Sequence, residues 1–485
     1  MSDPIEVDVA IIGAGISGVS AGYYLQRDTK LNYLIFENRT EMGGTWSLFQ
    51  YPGIRSDTDM YTLGFPFNPW PYSQSIGQGD EICQYIKDTA TKFGIDKKVR
   101  FGHRIKSASW SSKEKKWTLR IITSSQKEEL VVKTGFVYSC TGFYNHDEGY
   151  YPELPGSKAF KGEIIRPQFW PKGLDYIGKR VAVVGSGATA VSLVPALAKK
   201  AEKVIMIQRS PSYLKVVPES ESWPLFLKSI LPLSWVYSYI RLTHMLQYNL
   251  IFICCQLMPE YSKRWLRYRV AQRLPPGVPL DPHFKPSYNP WDQRLCLVPD
   301  NGDFFGDLAK GRMEIITGVI DEVVPEGIRI KDSKEVVPVD MIVQATGIQV
   351  RAFGGIEITV DGTPVKASDR FQYRGMMLDG VPNFVHCMGY IHTSWTLGAN
   401  LITQYVTRLL VEMESKGFTV VTPKADKDIV KVSEKPFPLS SNYLQRGIDQ
   451  FPKFSDNQPW VGMSEPVGDW YNMNHGDFHK DLVLS

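Results

Sequence analysis

Two stretches of this 485-residue chain, "IIGAGISG" at 11–18 and "VVGSGATA" at 183–190, carry small residues at the spacing that lets a backbone close around phosphate. In the first, Gly13, Gly15 and Gly18 match G-x-G-x-x-G. One glycine permits a tight turn, one lets the backbone approach a pyrophosphate, and one lets helix and strand pack closely. Free N–H groups at the start of the following helix then face the phosphates. The next apolar run, "NYLIFE", ends in Glu37, a carboxylate placed to accept hydrogen bonds from a ribose 2′-OH. Beyond it lies "MGGTWSLFQYPGIRSDTD", where Gly43 and Gly44 allow a second close approach of the backbone. Trp46 offers a flat apolar surface suited to an isoalloxazine ring. An adenine dinucleotide with a flat ring reads as FAD.

The second stretch fits G-x-G-x-x-A through Gly185, Gly187 and Ala190. Its next strand, "KVIMIQRS", has Gln208 where the first repeat has Glu37, followed by Arg209 and Ser210. A carboxylate there would repel a 2′-phosphate, whereas a guanidinium and a hydroxyl bind one. This site therefore reads as NADPH-binding. Two cradles imply two redox cofactors, with NADPH delivering a hydride that the flavin accepts.

The elements that must hold these turns are legible around them. "VDVAIIGAGISGVSAGYYL" and "KRVAVVGSGATAVSLVPALA" each read strand, turn, helix. The fold class expected is α/β, with two Rossmann-like dinucleotide-binding domains, the second inserted in the first. "VYSCTGF" at 137–143 and "VDMIVQATGI" at 339–348 are strands ending in small-residue turns, read by fold-level analogy as the crossovers. The expected FAD-binding domain is 1–150 with 345–485. The expected NADPH-binding domain is 160–340, with a helical excursion at 220–280. "GYIHTSWTLGANLI" at 389–402 then returns to the flavin, with Trp395 bordering the pocket and Gly398 and Ala399 capping a helix whose positive end faces the ring.

Bulk composition excludes other classes. The 55 basic and 51 acidic residues leave a net charge of +4, which gives no argument for nucleic acid. Cysteines at 83, 140, 254, 255, 296 and 387 show no C-x-x-C pair, so a disulfide reductase is disfavoured. They read as buried thiols of a reducing, cytoplasmic compartment. The eight histidines form no ligand pattern, and no metal is expected. No signal peptide is apparent. "LTHMLQYNLIFICCQLM" at 242–258 is uncharged but short of the roughly 20 apolar residues a spanning helix needs. The basic stretch after it, with Lys263, Arg264, Arg267, Arg269 and Arg273, reads first as a solvated helix face and second as peripheral membrane contact through 242–273. The wealth of Trp, Tyr, Leu and Ile here favours a small apolar or aromatic substrate.

Between the cradles, "FKGEIIRPQFWP" at 160–171 nearly matches the fingerprint F-x-G-x-x-x-H-x-x-x-W-P/D through Phe160, Gly162, Trp170 and Pro171. With "GGTWSLFQYPGIRSDTDMYTLGF", "VVGSGATAVSLVPALA" and "YNPWDQRLCLVP", the chain resembles the Baeyer–Villiger branch of class B flavin monooxygenases, and within it the ethionamide-activating group. The resemblance covers most of residues 5–460. It implies an enzyme using FAD, NADPH and O2, in which a flavin C4a-peroxide inserts oxygen beside a ketone carbonyl or transfers it to sulfur or nitrogen.

By position, the resemblance makes Arg294 the active-site arginine and Asp57 its acidic partner. It places Ser17, Glu37, Gly44, Thr45, Trp46 and Asp57 on FAD, with Ile105 near the adenine through its backbone. It places Gly185, Ser186, Gly187, Ala188, Thr189, Ala190, Val191, Arg209 and Ser210 on NADPH, and Arg55 and Ser56 where nicotinamide meets flavin. Some members have lysine just before the arginine, where this chain has Gln293. Arg166 replaces the fingerprint histidine, on a linker taken to transmit domain rotation. Arginine cannot accept the hydrogen bond that a neutral histidine can. An oxygenation-deficient NADPH oxidase or sensor is therefore a third reading.

Overall fold

The computed structural model describes residues 5–485 except 124–128, 219–225, 228, 301, 332, 334, 427–429, 434–439 and 464. Its core is two sheets. The first has eleven strands and runs in the order β18 (Thr363–Pro364), β17 (Glu357–Val360), β4 (His103–Ser111), β5 (Lys116–Thr123), β6 (Glu129–Ser139), β1 (Ile5–Ile12), β2 (Tyr33–Glu37), β3 (Val99–Phe101). β19 (Gln372–Tyr373), β20 (Met377–Leu378) and β21 (Phe384–His386) join it at the side of β6. β6, β1, β2 and β3 pair in parallel, whereas β4, β5 and β6 form an antiparallel meander. The parallel strands are near-continuous apolar runs because both faces are covered: all of β2 is buried.

The second sheet is entirely parallel. Its order is β12 (Met313–Thr317), β9 (Lys203–Gln208), β8 (Arg180–Val184), β16 (Met341–Gln344), β7 (Glu163–Ile165). All five strands of this sheet come from residues 163–344, and the chain on both sides of that span contributes to the other. This is the α/β architecture expected from the repeated strand–turn–helix pattern. Three smaller sheets complete the structure: β10 (Leu214–Val217) with β11 (Cys296–Pro299), the β13–β14–β15 meander over 320–338, and β22 (Val421–Pro423) with β23 (Leu482–Leu484).

The same backbone device closes both glycine turns. Gly13 has φ +102°, and a Cβ there would lie 2.6 Å from the carbonyl oxygen of Cys140. Gly185 has φ +140°, and a Cβ there would lie 2.2 Å from the carbonyl oxygen of Ala345. Each first glycine is therefore pressed against the small-residue turn that follows a neighbouring strand, "SCTGF" or "QATGI". The first turn leads into α1 (Ile16–Asp28). The short helices α2 (Thr45–Leu48) and α3 (Met60–Leu63) and the longer α4 (Gly79–Lys92) follow. The second turn leads into α5 (Ala188–Ala198).

The helical excursion consists of α6 (Leu233–Leu257) and α7 (Pro259–Ala271). Residues 219–225 and 228 of the expected excursion lie outside the described residues. Pro259 ends α6, since a residue before proline is disfavoured in helical conformation, and it opens α7 at a position that needs no N–H. Arg241 pins α6 to the rest of the protein. Its Nη1 donates to the carbonyls of Tyr61, Thr62 and Gly64 at 3.1, 2.8 and 2.8 Å, where a cation complements the C-terminal end of α3. After α8 (Asp303–Ala309), α9 (Trp395–Lys416) packs on α1, with Ser20 Oγ donating to Asn400 Oδ1 at 2.8 Å. α10 (Asn442–Arg446) and α11 (Pro466–His475) close the chain.

Gly13→Ala combines a positive φ with a clash against fixed backbone, so it should lower stability by about 2 kcal/mol. Gly187→Ala meets nothing within 4 Å and should stay within about 1 kcal/mol of the parent. Thermal unfolding of the two variants checks the contrast.

Candidate functional site

One cavity of about 1210 Å³ runs between the two glycine turns. It exceeds the roughly 300–1,000 Å³ of a pocket for a single small ligand. Gly13, Gly15, Ser17 and Glu37 line it from the first repeat, and Gly185, Ser186, Gly187, Ala188, Thr189, Arg209 and Ser210 from the second. Gly44, Thr45, Trp46, Arg55, Asp57 and Ile105 line it as well. Gly15 and Gly187 are the N-cap residues of α1 and α5, and neither helix start receives a side-chain cap. The free N–H groups of both helices are thus left at the cavity wall, where an anion would complete them.

Four expected residues are elsewhere. Gly18 is packing, since a Cβ there would lie 1.9 Å from the Gly13 carbonyl oxygen. Ala190 and Val191 are buried on the core side of α5. Ser56 is turned from the cavity: its N–H donates to the Gly77 carbonyl at 2.9 Å and its Oγ accepts from the Gly77 N–H at 3.0 Å. Gly398 and Ala399 do not cap a helix. They lie within the first turns of α9, whose N-cap is Ser394, and a Cβ on Gly398 would lie 3.0 Å from the Tyr390 backbone nitrogen. The small residue there serves close packing.

The two cradles differ in charge, as the sequence implied. Glu37 is held by backbone donors, with Oε2 accepting from Ala14 N–H at 2.8 Å and Oε1 from Arg39 N–H at 2.9 Å. Gln208 faces away from the cavity, its Nε2 donating to the His283 carbonyl at 2.8 Å and Thr317 Oγ1 at 3.0 Å. Arg209 is exposed at the cavity edge and makes no ion pair among the described residues. Ser210 offers its carbonyl to Ser186 Oγ at 2.6 Å, which joins the loop to the second turn.

Arg294 is anchored in the cavity wall by three partners. Its Nη2 sits 3.1 Å from Asp57 Oδ1. Nη1 donates to the Ile391 carbonyl and Nη2 to the Thr393 carbonyl, both at 3.2 Å. Burial works against its charge, but Asp57 and the hydroxyls of Tyr144, Tyr443 and Tyr248 more than offset this and hold it above the usual arginine range. The loop presenting it is fixed by Trp291, a buried residue at φ +69° whose indole N–H donates to the His392 carbonyl at 3.0 Å. Trp395, the first residue of α9, lines the cavity, donates from its indole to Ser17 Oγ at 2.8 Å and stacks on Phe143.

Several neighbours were not foreseen from the sequence. Tyr144 and Tyr443 line the cavity, and burial pushes the Tyr443 phenol up to about 12 and that of Tyr144 further. No motif marks either residue. His392 and Ser394 leave Nδ1 and Oγ buried without partners among the described residues. Arg55 lines the cavity yet is bound to Asp303 of α8 at 2.5 Å, a contact between the segment after the first cradle and the second half of the chain. Arg166 is exposed, with its guanidinium 4.6 Å over the Tyr151 ring. Among the described residues no group of three or more acidic, histidine or cysteine side chains could hold a metal.

The family model for flavin-binding monooxygenase-like proteins matches residues 6–229. The chain is 44% identical over 458 residues to the FAD-containing monooxygenase EthA of Mycobacterium tuberculosis, covering 94% of this chain and 92% of that protein. It is 38% identical over 479 residues to the probable FAD-binding monooxygenase AlmA of Acinetobacter baylyi, covering 98% and 95%. Among solved structures it resembles an oxidized steroid monooxygenase bound to NADP, with TM-score 0.78 at 19% identity and 99% of each chain covered. It also resembles cyclohexanone monooxygenase bound to epsilon-caprolactone, with TM-score 0.76 at 19% identity, covering 99% of this chain and 100% of that one. These likenesses show the fold.

Burial holds two imidazoles neutral: His386 and His392 are pushed down to about 4, the latter aided by Arg294. The unfolded chain titrates them near 6.5. Between about pH 6.5 and 4 it therefore binds protons that the folded chain refuses, so stability should fall as pH falls through that window. Urea midpoints measured across it check this, and His386→Asn should flatten the decline.

Proposed function

This chain belongs to the flavin-binding monooxygenase-like family, and on that premise we propose that it uses FAD, NADPH and O2 to insert one oxygen atom beside the carbonyl of an apolar ketone. The balance is ketone, O2, NADPH and a proton giving ester or lactone, water and NADP⁺. Residues 1–150 and 345–485 form the FAD-binding part and residues 160–340 the NADPH-binding part, with helices over 233–271 inserted. The observation that carries the reading is Arg294, held against Asp57 and two carbonyls in the wall of a cavity that reaches both glycine turns.

The residues present fit both cofactors. The uncapped start of α1 and the contact of Gly15 with Gly44 make a backbone cradle for a pyrophosphate, and a Cβ on Gly44 would lie only 3.0 Å from the Gly15 Cα. Glu37, oriented by two backbone N–H groups, takes the ribose hydroxyls. Ser17, Thr45, Trp46 and the Ile105 backbone complete the FAD side. The uncapped start of α5 takes the second pyrophosphate, and Arg209 with Ser210 takes a 2′-phosphate. Bound FAD would accept the hydride of NADPH and activate O2.

The chain's own contribution is electrostatic. Arg294 stays charged at any working pH and supplies a fixed positive charge where negative charge develops on oxygen. Asp57 and the Ile391 and Thr393 carbonyls aim it, so no reorganisation is needed during reaction. Trp46, Phe143 and Trp395 exclude water from the wall beside it. Arg55, anchored by Asp303, lines the cavity where nicotinamide would meet flavin, and Arg166 keeps its place on the linker.

A second reading is oxygen transfer to sulfur or nitrogen. The observation favouring it is the pair Tyr144 and Tyr443, which line the cavity with Arg294 and, raised by burial, stay neutral, so that each can offer an O–H hydrogen bond to a protonated oxygen donor. A protonated oxygen donor suits soft nucleophiles, whereas an anionic one suits carbonyls.

Turnover with NADPH of a mixed ketone and sulfide panel, read by product mass, should yield esters or lactones. Sulfoxide alone, with no ester from any ketone, selects the second reading. Arg294→Lys should cut product formation by about 10²–10³-fold while NADPH still reduces the flavin. Arg209→Ala should weaken NADPH by about 10–100-fold and leave NADH unchanged, as steady-state KM values for the two nucleotides would show.

A further inference from the structure

α6 has two apolar faces, and one of them is packed against the described residues of the fold. Val236, Ile240, His244, Tyr248 and Cys255 are buried. On that inner side Phe252 packs at 4.9 Å on the His392 ring and 5.8 Å on Trp291, behind the loop that presents Arg294. The opposite face carries Trp235, Leu242, Leu246, Leu250 and Leu257, all exposed, with Trp235 at 70%, Leu250 at 61% and Leu257 at 76%. Their steps of seven, four, four and seven put them in one row along about 33 Å of helix. Isolated exposed leucines need no explanation, but a continuous row of this length does.

The charge pattern around the row says what covers it. From 229 to 259 the only charged residue is Arg241, and its head is bound to the carbonyls at the end of α3. α7, which follows directly, also exposes Tyr261, Trp265 and Tyr268 and adds basic residues. Over 259–273 there are five bases, Lys263, Arg264, Arg267, Arg269 and Arg273, against the single acid Glu260. Glu260 is paired with Lys263, Arg267 with Asp281 and Arg273 with Asp300. Arg264 and Arg269 make no ion pair among the described residues. Exposed Trp470 and Tyr471 belong to α11, whose N-cap Glu465 accepts from Asn249 of α6 at 3.2 Å.

We propose that the outer face of α6 and α7 docks on an anionic lipid surface. Leucines fill the outer acyl region, Trp and Tyr take the interface where an apolar ring with a polar edge is most at home, and Arg264 and Arg269 meet lipid phosphates. The helix lies in the plane and does not cross. Its other face is occupied by the protein, and among the described residues no helix is long and apolar enough to span a membrane. A second copy of the chain is the poorer occupant, because a two-fold contact would set the same basic helix against itself. With α6 forming the wall between lipid and the Arg294 loop, an apolar substrate dissolved in the bilayer would be near the cavity.

The test is flotation of the FAD-loaded protein with vesicles, read without turnover, so its outcome is independent of the proposed reaction. Vesicles of phosphatidylglycerol and phosphatidylcholine in equal parts should carry the protein, and those of phosphatidylcholine alone should hold it at least tenfold less well. Added salt should release it. Leu246→Glu with Leu250→Glu should abolish flotation, and Arg264→Glu with Arg269→Glu should weaken it about tenfold or more. An unchanged melting temperature and flavin absorbance show that each variant is folded. Flotation that ignores lipid charge or survives both double substitutions overturns the proposal. So does a parent that stays off every vesicle, or a dimer that the leucine substitutions convert to monomer while vesicles capture neither form.

Discussion

The site depends on where one guanidinium is held. Arg294 joins three segments that are remote in sequence: the loop of Asp57, the loop of Ile391 and Thr393, and the segment leading into β11. None of these partners is strong alone. Both side chains of the ion pair are partly exposed to the cavity, so their attraction adds little to folding stability. What the arrangement provides is direction. With carbonyl acceptors and a carboxylate on one side, the charge is aimed before any reaction begins, which is the condition for electrostatic catalysis. Trp291 supports this by holding a positive φ that only a well-determined loop sustains.

Around that point the protein repeats one solution twice. Each glycine turn is pressed onto the turn after a neighbouring strand, and each leads into a helix whose first N–H groups have no side-chain cap. Backbone geometry thus makes two equivalent anion sites, and side-chain charge makes them unequal. Glu37, fixed by backbone donors, suits ribose hydroxyls and repels phosphate. Arg209, with no acidic partner among the described residues, does the reverse. On the proposed reading, a common architecture with a carboxylate at Glu37 and a guanidinium one residue past the corresponding Gln208 sorts two dinucleotides between the two ends of one cavity.

The helices over 233–271 tie this chemistry to the surface. Arg241 spends its charge on carbonyls of α3, so α6 can be apolar on both faces without an unpaired cation. One face closes the wall behind Trp291 and His392, and the other carries the exposed row of Trp235, Leu242, Leu246, Leu250 and Leu257. Sequence patterning could not separate these faces, since both read as leucine and aromatic residues at helical spacing. Exposure distinguished them.

Much of the site was written in local sequence. The glycine spacing, the carboxylate ending β2, the guanidinium after β9 and the arginine of "WDQRLCLVP" each follow from a few neighbouring residues, because a turn's φ angles and a strand's end are local constraints. The family resemblance placed Asp57 against Arg294. The tertiary structure alone decided which way polar side chains turn. Ser56 answers to Gly77, Gln208 to His283 and Thr317, and Arg55 to Asp303. It also brought Tyr144 and Tyr443 to the guanidinium and put Gly398 to packing. The physical reason is that a buried hydrogen-bonding group must find its partner wherever the fold puts one, often hundreds of residues away, and no local pattern records that choice.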